Sequence, residues 1–109
     1  MLEARLYLLQ RATALLLAPL VVVHLVVILL AVRGGLSAAE ILARTQGSTV
    51  WAAFYGVFVI AVALHAPIGL RNLLGEWLGW RDGSRDLAVL VFGLALLGLG
   101  LRAVWGVTT

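Results

Sequence analysis

The sequence predicts an all-α membrane protein with three transmembrane helices, and three observations carry that expectation. The first is composition. Of 109 residues, 63% are hydrophobic and only 12% are charged. A soluble domain of this size cannot hide that much apolar surface from water, so the surplus must face lipid. The second is a set of long uncharged runs. Ala12 to Val32 and Val50 to Leu70 contain no formal charge when His24 and His65 are neutral. Each run matches the roughly 20 residues that cross about 30 Å of hydrocarbon. The run from Leu87 to Leu101 is shorter, but Arg102 can snorkel to the interface and carry the third span to Val107. The third observation is the placement of aromatic residues. Tyr7, Trp77 and Trp80 fall at span ends on one side, and Trp51, Tyr55 and Trp105 on the other, as an interfacial belt requires.

The elements follow in order within a single domain, 1–109, with spans near 12–32, 50–70 and 87–107. Arg11 and Arg33 bound the first span. Ser37-Ala38-Ala39 offers small residues after an apolar run, as a secretory cleavage site does. The run is too long for a signal core and contains Pro19 and His24, so it reads as a retained span. In the first loop, Ser37 and Glu40 have capping-box spacing, and Glu40 and Arg44 stand four apart. A short amphipathic helix on the outer surface is expected there. The second span ends at Arg71, and a polar loop from Arg71 to Asp86 should follow, carrying Asn72, Glu76, Arg81, Asp82 and Arg85. In the third span Gly93 and Gly100, seven apart, mark a close-packing face.

Charge narrows the function classes. The net charge is +3 and all eight cations are arginine. Arg5, Arg11, Arg71, Arg81 and Arg85 lie on one side of the spans, and Arg33, Arg44 and Arg102 on the other. That bias places the N-terminus in the cytoplasm. The absence of cysteine removes disulfides, iron–sulfur clusters and thiolate metal sites held by this chain. No repeat, low-complexity tract or nucleotide-binding glycine motif is present, and no nucleic-acid partner is expected. No nucleophile–base pair or paired-carboxylate site occurs, so the chain by itself is not expected to perform substrate chemistry.

The residues that carry chemistry are two histidines. A histidine inside a bilayer is costly and by default faces the protein interior with a function. His24 lies near the middle of the first span, and His65 about five residues from the cytoplasmic end of the second. Ala61, His65 and Gly69 are spaced four apart and share one helix face, leaving room for a flat macrocycle beside the imidazole. A neutral imidazole is a standard axial ligand to haem iron. The competing role is interhelical hydrogen bonding, worth about 1 kcal/mol. Because the helices are antiparallel, the histidines should differ in depth by roughly 10 Å at 1.5 Å per residue. Two haems at different depths, each completed by a histidine of another chain, suit that geometry better than one shared iron. A single haem on His65 with a structural His24 is the alternative. Pro19 and Pro67 free the carbonyls of Leu15 and Ala63 and permit local bends. Arg11 and Arg71 end two spans on the cytoplasmic side, suiting a haem propionate, a quinone carbonyl or simple anchoring. Glu76 and Trp77 offer a carboxylate and an indole donor for a quinone headgroup, with Trp77 as a plain belt residue the other reading.

These residues resemble a known family. Leu9-Gln10-Arg11-Ala12-Thr13-Ala14 is similar to the "RATA/RVSG" start of the membrane-anchor (cytochrome b) subunits of succinate dehydrogenase and fumarate reductase. His65-Ala66-Pro67-Ile68-Gly69-Leu70-Arg71-Asn72-Leu73-Leu74-Gly75-Glu76-Trp77 resembles the family's "HAxxGxxxxxxDY" segment, which closes the second helix. The resemblance implies that His65 ligates haem b between two anchor subunits, and that His24 matches the first-helix histidine of two-haem members. It implies that Glu76-Trp77 stand where the family's Asp-Tyr pair meets quinone, with a phenol replaced by an indole. It places Arg11 near quinone and propionates.

The resemblance further implies a flavoprotein and an iron–sulfur partner on the cytoplasmic face, and a second anchor chain or a second copy of this one. The three spans would then be half of a larger haem-binding helical bundle in the bacterial inner membrane. That assembly would pass electrons between the iron–sulfur subunit and quinone, joining the tricarboxylic acid cycle to the respiratory chain, with no dicarboxylate chemistry in this chain. The alternatives are a cytochrome b subunit of another respiratory complex, and a haem-free membrane scaffold or transporter subunit.

Overall fold

The computed structural model describes all 109 residues, Met1–Thr109. It contains four helices and no strand: α1 (Leu2–Gly34), α2 (Ala38–Thr45), α3 (Thr49–Leu78) and α4 (Gly83–Thr108). Three of them, α1, α3 and α4, are long and apolar enough to cross a membrane. The chain measures 47 × 23 × 23 Å, so the rod exceeds the roughly 30 Å of a hydrocarbon core and carries its helix ends into both interfaces. Helix α3 is central, with α4 packed on one side and α1 on the other.

Only eleven residues are buried, and Leu17, Ala61, Pro67, Ile68 and Val89 are the apolar side chains among them. Many large apolar side chains are instead exposed, where a soluble fold would have closed them off. Close approach of α3 and α4 depends on the two glycines expected to pack. A β-carbon at Gly93 would meet the Pro67 ring, and one at Gly100 would meet Val59. Pro67 is buried in that contact, and small residues at such crossings let backbones approach.

Two expectations change. The polar loop from Arg71 to Asp86 is mostly helix, because α3 continues to Leu78 and only a short turn precedes α4. Gly79 ends α3 in the left-handed conformation, with its N–H bonded to Leu74 O. Asp82 starts α4 by accepting from Ser84 N at 2.9 Å. A left-handed glycine and an Asx cap three residues apart make a tight stop and restart. The other change is at Arg44, which does not pair with Glu40. It donates to Gly35 O at 3.0 Å and so ties α2 to the end of α1.

The capping box is present. Glu40 N donates to Ser37 Oγ, and Ser37 N donates to Glu40 Oε2 at 3.0 Å. Beyond it, α2 closes the end of α4, whose last carbonyls lack helical partners. Thr45 Oγ1 donates to Val107 O at 2.5 Å, Gly47 N to Thr108 O at 2.8 Å, and Gln46 Nε2 to Thr109 O at 3.1 Å. The Ser37 amide, then its hydroxyl, holds the Glu40 carboxylate below its ordinary range. A depressed acid stabilises the fold above its unfolded value and loses that contribution as pH falls through the folded value. Amide protection in α2 should therefore drop below about pH 4, and Ser37→Ala should weaken it already at neutral pH. Hydrogen exchange by mass spectrometry reads both, and equal protection factors at pH 7 and pH 3.5 would count against the box.

Candidate membrane cofactor site

The interface of α1 and α3 holds both histidines. Each is half-buried, and each has its own neighbours. His65 Nδ1 lies 3.0 Å from Thr13 Oγ1, and Nε2 has no hydrogen-bond partner in the chain. Beside this pair Gly69 leaves space that Gln10 takes, since a β-carbon at Gly69 would stand 3.2 Å from Gln10 Nε2. The face formed by Ala61, His65 and Gly69 is thus turned toward α1, with Ala61 only 2% exposed. Gln10 Oε1 is buried there without a partner.

His24 packs in an aromatic cluster toward the opposite end of the rod. Its ring centroid lies 5.2 Å from Phe58 and 6.1 Å from Tyr55, and Tyr55 stacks on Trp51 at 5.5 Å. A cavity of about 340 Å³ opens here, lined by His24, Tyr55 and Phe58 of the first two spans and by Gly100 of α4. Phe58 precedes His65 by seven residues, which is about 10 Å along the helix. The two imidazoles therefore stand at separate levels, each with one ring in this chain. No three His, Cys, Asp or Glu side chains gather anywhere in it.

At the cytoplasmic end expected from the arginine bias, Arg71 acts as a clamp across three helices. Its Nε donates to Asp86 Oδ1 of α4 at 3.0 Å, and Nη1 and Nη2 donate to the two oxygens of Glu3 of α1 at 3.3 and 2.9 Å. Asp86 also accepts from Arg85 Nε at 3.1 Å, and the Arg85 guanidinium lies over Gly75, where a β-carbon would meet its Nη1 at 3.0 Å. A groove of about 460 Å³ runs from Arg71 and Asp86 along α3, between Leu6 and Gly93.

The remaining expected site residues stand apart from this clamp. Arg11 is exposed on the side of α1 away from α3, its guanidinium 5.7 Å from the Tyr7 ring centre. Glu76 is exposed and Trp77 is 78% exposed, both at the end of α3. No hydrogen bond or ion pair joins Arg11, Arg71, Glu76 and Trp77 to one another. Glu76 follows His65 by eleven residues, close to three turns, so the two share a helix face about 16 Å apart.

Two polar partners were not foreseen from sequence. Thr13 was visible as one of few hydroxyls inside a span, but nothing in a linear pattern pairs it with His65, 52 residues away. Glu3 was visible only as an acid before the first span. Its pairing with Arg71 needs α1 to be one helix from Leu2 onward.

No curated protein and no solved structure matches this chain. The profile of the succinate dehydrogenase/fumarate reductase transmembrane subunit family matches residues 2–102, taking in the first two spans, most of the third, both histidines and the Arg71 clamp. The chain is a multi-pass membrane protein that belongs to the succinate dehydrogenase/fumarate reductase transmembrane subunit family.

Proposed function

We propose that this chain is the membrane-anchor, haem- and quinone-binding subunit of a succinate:quinone oxidoreductase, passing electrons between an iron–sulfur subunit and quinone. The observation that carries the reading is His65, half-buried between two spans with Nδ1 engaged by Thr13 and Nε2 uncommitted. An imidazole with one nitrogen held and the other uncommitted fits axial ligation of haem. His65 would hold one haem b, and His24 would hold a second at its own level. Each iron would take its other ligand from a partner chain, because each level has one imidazole here. Bound haem would supply a one-electron carrier within the bilayer.

The chain's own residues do the rest. Arg11 presents a free guanidinium near the end of the first span, suited to a propionate or a quinone carbonyl. Arg71 has five N–H donors and spends three on Glu3 and Asp86, so its main work is to hold α1, α3 and α4 in register. Glu76, on the His65 face, would exchange a proton with a quinone headgroup, and the Trp77 indole would donate to one. The exposed apolar flanks suit a second anchor chain or a second copy of this one. The flavoprotein and iron–sulfur subunits would dock at the Glu76 end. The chain would lie in a bacterial inner membrane, and the arginine bias supports an N-terminus in the cytoplasm.

The test is a reduced-minus-oxidised absorption spectrum of the purified complex, with quinone reduction measured alongside. The wild-type complex should show a b-type haem band. His65→Ala should lose at least the part belonging to that haem and slow quinone reduction. A wild-type complex without any haem band, together with a His65→Ala complex that reduces quinone normally, would sink the haem reading.

A further inference from the structure

We infer that Thr13 is the positioning residue of His65: its hydroxyl oxygen keeps the imidazole proton on Nδ1 and leaves Nε2 bare for iron. This inference rests on the haem reading above. A neutral imidazole carries one proton, which either nitrogen can hold, and only the other nitrogen has a lone pair to give a metal. Which nitrogen that is depends on the hydrogen bonds the ring makes. Thr13 is 5% exposed, so protein atoms rather than water decide it.

Three contacts at one oxygen make the decision. Thr13 Oγ1 lies 2.8 Å from Leu9 O and 3.0 Å from Gln10 O. Its single hydrogen therefore has acceptors in its own helix, the usual back-bond of a threonine within a helix. The same oxygen lies 3.0 Å from His65 Nδ1. With the hydroxyl hydrogen turned to its carbonyls, the oxygen can only accept, and Nδ1 must donate. Both hydrogens are then satisfied, and the bare nitrogen is Nε2.

The opposite tautomer is poorer. The hydroxyl would have to leave its carbonyls to donate to Nδ1, and the proton on Nε2 would find no acceptor in this chain. An N–H without a partner is costly between membrane helices. Thr13 thus does for His65 what a carboxylate or carbonyl does for many metal-bound histidines: it sets the tautomer and holds the ring.

The test reads the proton directly. The full chain is prepared free of haem with ring-¹⁵N histidine, and His65 is assigned by comparison with His65→Gln. Nitrogen shifts should show the Nδ1–H form in wild type and in Thr13→Ser, and a shift away from it in Thr13→Val. In the assembled complex titrated with haemin, Thr13→Val should bind about ten- to a hundredfold more weakly, with Thr13→Ser close to wild type. Wild-type His65 protonated on Nε2 overturns the inference, as does a Thr13→Val chain with unchanged tautomer and haem affinity. Should Thr13→Val fail to fold, the wild-type and Thr13→Ser spectra decide. Failure of the haem reading looks different: a Thr13-dependent Nδ1–H form in a complex that takes up no haem would bear out the hydrogen bond and overturn the assignment of Nε2 to iron.

Discussion

Gly93→Leu should destabilise the packing of α3 and α4 by about 1–3 kcal/mol, the range for overpacking a close contact. A β-carbon at position 93 would stand 2.8 Å from Pro67 Cγ and 3.3 Å from Ala63 O, well inside the 3.5–4.0 Å at which carbon atoms attract. Neither neighbour can yield easily. One belongs to a proline ring, and the other is a backbone carbonyl. That carbonyl is also the one Pro67 leaves without its helical N–H, so Gly93 lets α4 lie directly against it. The helices must separate, and the leucine side chain then widens the gap.

The control is Gly98→Ala, because a β-carbon there meets nothing within 4 Å. It should be neutral or stabilising by up to about 1 kcal/mol, the gain in helix propensity. Unfolding of the chain in detergent, followed by circular dichroism against denaturant, separates the two variants. Equal midpoints for them would show that α3 and α4 do not pack through Gly93.

Arg71→Leu should release the start of α1 while leaving α3 and α4 together. The Arg71 side chain is 10% exposed, but Glu3 is 75% and Asp86 49% exposed, so solvent screens part of the attraction. A surface pair is worth at most about 1 kcal/mol, and breaking a buried one costs about 3–5 kcal/mol. This three-helix clamp should fall between those two limits, nearer the surface one. The loss is uneven. Asp86 keeps its bond to Arg85, whereas Glu3 makes no second ion pair.

Hydrogen exchange should therefore rise in the first turns of α1 and stay low in α4. Arg71→Lys should recover only part of the effect, since an ammonium cannot serve the two Glu3 oxygens and Asp86 in one planar fork. A double-mutant cycle with Glu3→Gln isolates the pair. Coupling near zero would reduce Arg71 to an interfacial anchor.

The number of spans, their approximate limits, the capping box at Ser37 and the packing role of Gly93 and Gly100 are all legible in the linear chain. These are properties of runs and local spacings, and a membrane makes them unusually legible because every backbone group must be satisfied within its own helix. The sequence also singled out His24 and His65, since any imidazole at that depth stands out against hydrocarbon-like neighbours.

What those residues touch is set by how the helices pack. That α3 runs on to Leu78 depended on where Gly79 turns left-handed. That Arg44 reaches Gly35 rather than Glu40 depended on how α2 folds back onto the end of α1. The pairings of Arg71 with Glu3 and of His65 with Thr13 join residues 68 and 52 positions apart. No periodicity encodes such distances, because they arise from how two antiparallel helices slide into register. That register gives His65 a partner for Nδ1 and leaves Nε2 without one.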